Sequence, residues 1–304
     1  VPIKVELPSH EYLIVRNNFS ILEEYGFVCE EFGINTILIR SHPNWIFADV
    51  AEECVRKVID IIATKEAFDF LFGIRMNNNK EWFEPRKKIY TEYIYNPLKA
   101  LTEEIYKPFS ESGMISKTGR IYRDESYPPY LHYRDTLWIY IRYNAWDWSK
   151  TPTLYFEISP EGGEFGFRIS KPAAAVMEKF RSDISENPQY FLELVDMLKK
   201  NGIEIGGEEY KRKKKCTILE AEELFVKKGL SAYRKITDLS ALNRPELIDE
   251  IVEVFRLVMP LNDYFHRVVN EVEAEKLMAK LEAIEDEKSA ETDIIKAPGV
   301  EFMW

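Results

Sequence analysis

Three cysteines, Cys29, Cys54 and Cys216, stand far apart in this 304-residue chain, with no C-x-x-C pair. That excludes a disulfide framework and a Cys-based zinc site, and it suits a reducing, cytoplasmic compartment. Histidine is scarce too: only His10, His42, His132 and His266. A multi-His metal centre would need most of them to converge, so no metal is expected. No apolar run is long enough to span a bilayer, and no signal peptide opens the chain. G-x-S-x-G, G-x-x-x-x-G-K-[ST] and G-x-G-x-x-G are all absent. Neither a nucleophile elbow nor the common nucleotide loops are therefore supported, and no cofactor is implied. The first residue is Val1, as expected of a fragment or a trimmed product.

What is present is material for a large core. Hydrophobic residues make up 45% and aromatics 13%, enough for two domains or one large one. The net charge of -11 works against indiscriminate phosphate binding. The one basic cluster, "YKRKKK" (Tyr210–Lys215), reads as an edge guarded by lysines or as a nucleic-acid contact, and the first use is the commoner one. Nucleic acid is not the expected partner.

The opening sixty residues read as a small α/β unit. "IKVEL" alternates like a strand. Ser9 can cap a helix carrying Tyr12, Leu13, Val15, Phe19 and Leu22, ending at Gly26. Phe27–Phe32 and Thr36–Arg40 form a hairpin around Gly33-Ile34-Asn35. Asp49 can cap a further helix running to Ile62. This stretch, through "LEEYGFVCEEFGINTILIRSHPNWI" and the acidic helix after it, resembles the regulatory sub-domain of the C-terminal region of MutL, the mismatch-repair protein. The endonuclease motifs of that family (D-Q-H-A, A-C-x-x-x-x-R, C-P-H-G-R-P) do not occur here. Of its clamp-binding motif, Val1-Pro2 is the only candidate remnant. Neither nuclease activity nor clamp binding carries over.

The rest of the chain is different. Phe68, Leu71 and Ile74 mark a helix. Asn77, Asn78 and Asn79 then act as a stop-and-start signal or as a polar ligand site, and Trp82, Phe83, Tyr90 and Ile94 define the next helix. "TLWIYIRY", "TLYFEIS" and "FGFRIS" alternate as strands, with a turn at "SPEGGE". "AAAVMEKFRSDI" and "PQYFLELVDMLKKNG" read as helices, "LSAYRKI" as a strand, and 243–273 as a helix interrupted at Pro260. From Lys65 onward the chain resembles an uncharacterised bacterial family of conserved hypothetical proteins, domain of unknown function 2461. The carriers are "FLFGIRMNNNKEWFE", "GRIYRDESYPPYLHYRDTLWIYIR", "PTLYFEISPEGGEFGFRIS", "MEKFRSDISENP", "YKR" and "MPLNDYFHRVV". Many members have a longer stretch with lysines where this chain has the short "ESYPPYLHYRD". The family has no established activity, so the resemblance implies a fold outline and no reaction.

The fold class expected is α+β, with a larger, mainly antiparallel sheet flanked by helices. The domains expected are 1–63, 64–275 and an acidic, partly helical tail, 276–304, with Phe302–Trp304 docking at its end. Strand alternation puts Leu137, Ile139, Ile141, Leu154, Phe156 and Ile158 on one sheet face. The other face receives Trp138, Tyr140, Arg142, Tyr155, Glu157 and Arg168. Aromatics mixed with Arg and a carboxylate suit a site for a small polar or anionic ligand; a solvated face laced with ion pairs is the plainer alternative. Two Arg-Asp pairs, Arg123-Asp124 and Arg134-Asp135, are candidates for ligand binding or for an internal ion pair that holds a loop. The other class of function is an interaction protein, in which residues 1–63 dock a protein partner of the repair machinery.

Overall fold

The computed structural model describes residues 2–7, 9–44, 46–47, 49–126, 128–145, 150–211, 216, 218–237, 242, 244 and 246–296, with the backbone alone at 9–10, 13–14 and 285–296. The Ser9 side chain with its expected cap, Val1 of the Val1-Pro2 remnant, Arg212–Lys215 of the basic run and Phe302–Trp304 lie outside the described residues.

The chain divides into two compact units. The first comprises Val1–Arg142, Leu154–Gly166 and Tyr233–Leu257; the second comprises Tyr143–Thr153, Phe167–Ala232 and Val258–Trp304. In the first unit, strand β1 (Ile3–Glu6) leads to helices α1 (Ser9–Asn17) and α2 (Phe19–Glu24), then to the hairpin β2 (Val28–Glu31) and β3 (Thr36–Ser41). The expected single helix is broken at Asn18, and Gly26 follows it at φ +85°. The hairpin turn is as read: Gly33 and Asn35 both take positive φ, the conformation that glycine and asparagine tolerate best. Both outer strands pair antiparallel with β3. Val5, Val15, Leu22, Phe27, Ile37 and Ile39 bury one core against Val55, Ile59 and Ile62.

Those last residues belong to α3 (Ala51–Met76), and here the structure departs from expectation. Instead of one helix ending at Ile62 and another starting near Phe68, a single helix runs through 63–66. Thr64 and Lys65 carry no breaker chemistry, and Ala67, Phe68, Leu71 and Ile74 prolong the buried stripe at helical spacing. Asp49 is not the cap; the N-cap position is Val50, without a side-chain bond.

The asparagines end α3 and start α4 (Lys80–Phe83). Asn77 Nδ2 donates back to the Gly73 carbonyl at 3.0 Å, and Asn79 Oδ1 accepts from Trp82 N at 2.8 Å. Asn78 does something else: its amide exchanges two 2.9 Å hydrogen bonds with the backbone of Tyr133. Gly73 leaves room for Trp82, whose ring would lie 2.4 Å from a Cβ at that position. Short turns of α5 (Lys87–Ile89), a π-helix (Tyr90–Tyr95) and α6 (Asn96–Tyr106) complete the helical layer.

The larger sheet contains β4 (Met114–Thr118), β5 (Leu137–Tyr143), β6 (Thr153–Ser159), β7 (Gly162–Ile169), β8 (Glu204–Gly206) and β9 (Leu230–Ile236), in the order β4-β5-β6-β7-β9-β8. In the second unit, α7 (Ala174–Glu186) and α8 (Pro188–Lys200) bring Phe180 and Phe191 against Tyr264 of a long helix; the short α9 (Glu222–Phe225) precedes β9. That long helix, α10 (Leu247–Lys296), passes through Pro260 without a break, contrary to the expected interruption. A proline removes one hydrogen bond, and a helix whose flanking turns are buried through Leu261, Phe265 and Val268 can absorb that loss.

Candidate functional site

Strands β5 and β6 are antiparallel, with Trp138 opposite Glu157 and Tyr140 opposite Tyr155. The register therefore places Leu137, Ile139, Ile141, Leu154 and Phe156 on one face, all buried. The second face is not an open, solvated surface. Trp138 stacks on Tyr140 at 5.2 Å and 19°. The Arg142 guanidinium lies over the Tyr140 ring at 4.5 Å. Tyr155, 1% exposed, donates its hydroxyl to Glu164 of β7. The Trp138 ring also covers Gly119, where a Cβ would come within 2.8 Å of it. Arg168 is half-buried on β7 and belongs to the second unit.

Arg142 carries the strongest electrostatic signal of the face. The residue is 8% exposed, and among the described residues Nε and Nη1 have no hydrogen-bond partner. Nη2 reaches the Tyr140 hydroxyl only at 3.4 Å. A buried guanidinium with open donors is costly.

The Arg-Asp pairs are placed otherwise. Arg123 Nε donates to the Tyr133 carbonyl at 2.9 Å, and Arg134 Nη1 donates to the carbonyls of Arg120 and Tyr122. Asp135 receives Arg75 Nε from the end of α3, and Arg75 also clasps Glu161. That contact holds the Glu161 carboxyl down to about 2. Asp124 is exposed and accepts from Ser126 N at 3.0 Å. These contacts tie one loop to the end of α3. Arg123, Arg134 and Asp135 are thus brought together around Tyr133, while Trp138, Tyr140 and Arg142 form a separate ladder.

Two cavities lie elsewhere. In the first unit, a cavity of about 430 Å³ lies beside α3 and α6, lined by Ile59, Phe68, Tyr93, Leu101 and Phe156 with Asp60 among them. Burial, reinforced by Glu11, pushes the Asp60 carboxyl up to about 6. In the second unit, about 550 Å³ opens between α7, the start of α8 and the middle of α10. Its walls come from "SDISENP" and "NDYFHR". Both stretches were visible as family signatures, but helical spacing on distant segments does not show that they face one another. Among the described residues no group of three or more His, Cys, Asp or Glu is placed to hold a metal ion, and no helix is long and apolar enough to cross a membrane.

Comparison with known proteins matches each half separately. The profile of the family described as "Conserved hypothetical protein (DUF2461)" covers residues 66–264, and that of the "MutL C terminal dimerisation domain" covers residues 1–77. The DNA mismatch repair protein MutL of Listeria innocua is 45% identical over 60 residues, 20% of this chain and 10% of that protein. MutL of Halalkalibacterium halodurans is 36% identical over 69 residues, 23% of this chain and 11% of that protein. The chain thus spans about a tenth of the length of these curated relatives. No solved structure matches it. With nearly two hundred consecutive residues matched, the chain belongs to the DUF2461 family of conserved hypothetical proteins, with a segment resembling the C-terminal region of MutL at its front.

Proposed function

We propose that this chain binds a small oxyanion, a carboxylate or a phosphate, on the Trp138–Tyr140–Arg142 ladder of β5. The single observation that carries the reading is the buried Arg142 guanidinium with Nε and Nη1 unpartnered. Tyr140 already orients the group by cation–π contact, so little ordering is lost on binding. An oxyanion would take the open donors through charge-assisted hydrogen bonds. Thermal unfolding in inorganic phosphate and in acetate, against chloride of equal ionic strength, tests this. Wild type is expected to gain about 2.7 kcal/mol at a hundredfold excess over Kd. Arg142→Met is expected to gain nothing while remaining folded, because it also removes a buried unpaired charge. No oxyanion-dependent gain in wild type, or the same gain in both proteins, overturns the reading.

We further propose that the MutL-like front segment docks a protein partner. Ile34 at the hairpin turn is 92% exposed and Phe47 is 80% exposed, with Phe32 exposed beside the turn. Apolar groups left in water in this number favour protein contact. Purified MutL of Listeria innocua is the partner to test, since it shares the segment. A sedimentation shift on mixing that the pair Phe32→Ser and Ile34→Ser abolishes would support docking. No shift with wild type would discard it.

A further inference from the structure

We propose that the cavity beside α3 and α6 binds a small uncharged phenol or aromatic alcohol, an apolar body whose single hydroxyl donates to Asp60. The cavity measures about 430 Å³, within the range of small-molecule sites. Ile59, Phe68 and Phe156 close it with fully buried side chains. Ala63 of α3, Tyr93 of the π-helix, Leu101 of α6, Ile158 of β6 and Ile248 of α10 line it while keeping part of their surface open. Apolar surface is therefore available to a ligand. Ile59, Asp60 and Ala63 lie in the stretch that only the MutL profile matches, and Tyr93, Leu101 and Ile158 in the stretch that only the DUF2461 profile matches. The cavity is thus a property of the joined chain and of neither matched segment alone.

The charges around it decide what kind of ligand fits. Glu11 meets Arg56 at 3.5 Å, Glu92 meets Lys88 at 3.8 Å, Glu104 meets Lys107 at 2.6 Å and Arg244 meets Glu250 at 3.3 Å. Every other ionised group of the lining therefore has a counter-charge of its own, and the site calls for no net charge on its ligand. Asp60 is the half-buried carboxyl among the apolar walls. Arg56 acts on it, but the hydrogen bonds of Arg56 go to Glu52 and to the Glu6 carbonyl. The Thr64 hydroxyl is committed to the Asp60 carbonyl at 2.9 Å.

Burial and Glu11 outweigh Arg56 and push the Asp60 carboxyl up to about 6, so at pH 7.5 it is an ionised acceptor short of water. A hydroxyl donating to it replaces that water with a charge-assisted hydrogen bond, while the ring covers the apolar walls. A second carboxylate would be repelled by Asp60 and Glu11. An ammonium ion would lose its own hydration among apolar walls whose rim charges are already balanced.

Isothermal titration of the full chain at pH 7.5 with 2-naphthol, with 2-methylnaphthalene, with the anion 2-naphthoate and with the cation 2-naphthylmethylammonium tests the assignment. Saturable one-to-one binding of 2-naphthol is expected, about tenfold tighter than that of 2-methylnaphthalene, the effect of one hydrogen bond to a charged group. Both ions are expected to bind more weakly than 2-naphthol. Asp60→Leu should erase the tenfold preference while 2-methylnaphthalene still binds, and Ala63→Phe, which fills the cavity, should abolish binding of both. Thermal unfolding of each variant establishes that it is folded, and either variant alone suffices as the test. The proposal is overturned if wild type does not bind 2-naphthol, if either ion binds as tightly, if the preference survives in Asp60→Leu or if Ala63→Phe binds unchanged. An affinity that falls as protein concentration rises would put a second copy of the chain in the cavity and overturns it equally.

Discussion

Replacing Phe83 with Ala is expected to lower the unfolding free energy by about 3–5 kcal/mol, the usual range for a fully buried aromatic. Phe83 is completely buried and stacks on Tyr133 at 4.2 Å and 25°. Phe70, Tyr90 and Tyr122 surround it with ring centroids at 6.3, 6.0 and 5.8 Å. The ring joins the helical layer after the asparagines to the loop that Asn78, Arg123 and Arg75 tie down. Its removal leaves a cavity that these hydrogen-bonded neighbours cannot collapse to fill. Urea unfolding checks this: the midpoint should fall with the slope unchanged, which marks a loss of stability and not of two-state behaviour. Phe83→Leu should recover more than half of the loss. A deficit below about 1 kcal/mol for the Ala variant would show that the cluster repacks.

Lys65→Pro is the second large effect, expected to cost about 3 kcal/mol or more. Lys65 is exposed and lies at the middle of α3, where the two matched segments adjoin. Proline there removes a helical hydrogen bond and drives its ring against the Ile61 carbonyl. Lys65→Ala, which keeps the helix, should be within about 0.5 kcal/mol of wild type. Because Val55, Ile59 and Ile62 hold the front core while Phe68, Leu71 and Ile74 are buried further along, breaking the rod strains both. Separate unfolding of the two halves in the proline variant, seen as two transitions where wild type has one, would show that α3 is what couples them. A loss under about 1 kcal/mol with a single transition would show instead that the helix is dispensable at this point.

Much of the architecture was legible because it is written in short-range periodicity. Alternation in "TLWIYIRY" and "TLYFEIS" placed each residue on its correct face, since a strand turns its side chains over with period two whatever its neighbours are. Gly33, Asn35 and Gly202 marked turns through their tolerance of positive φ. Breakers were less secure. Pro260 was read as an interruption of the helix and is not one, because tertiary burial outweighs one lost hydrogen bond. The continuity of α3 was missed for the converse reason: a change of sequence family at 63–66 carries no backbone signal.

The chain's composition, its strand faces, its asparagine caps and its family membership are properties of the sequence itself, because they rest on residue type and local spacing. Only the tertiary structure decided which charges meet. It paired Arg75 with Asp135 across sixty residues and set Arg142 over Tyr140, with Nε and Nη1 unpartnered among the described residues. It also brought Asp183 to Tyr264 across eighty-one residues. Electrostatic pairing depends on distances of a few ångströms, and chain proximity does not set those distances when packing of the core does.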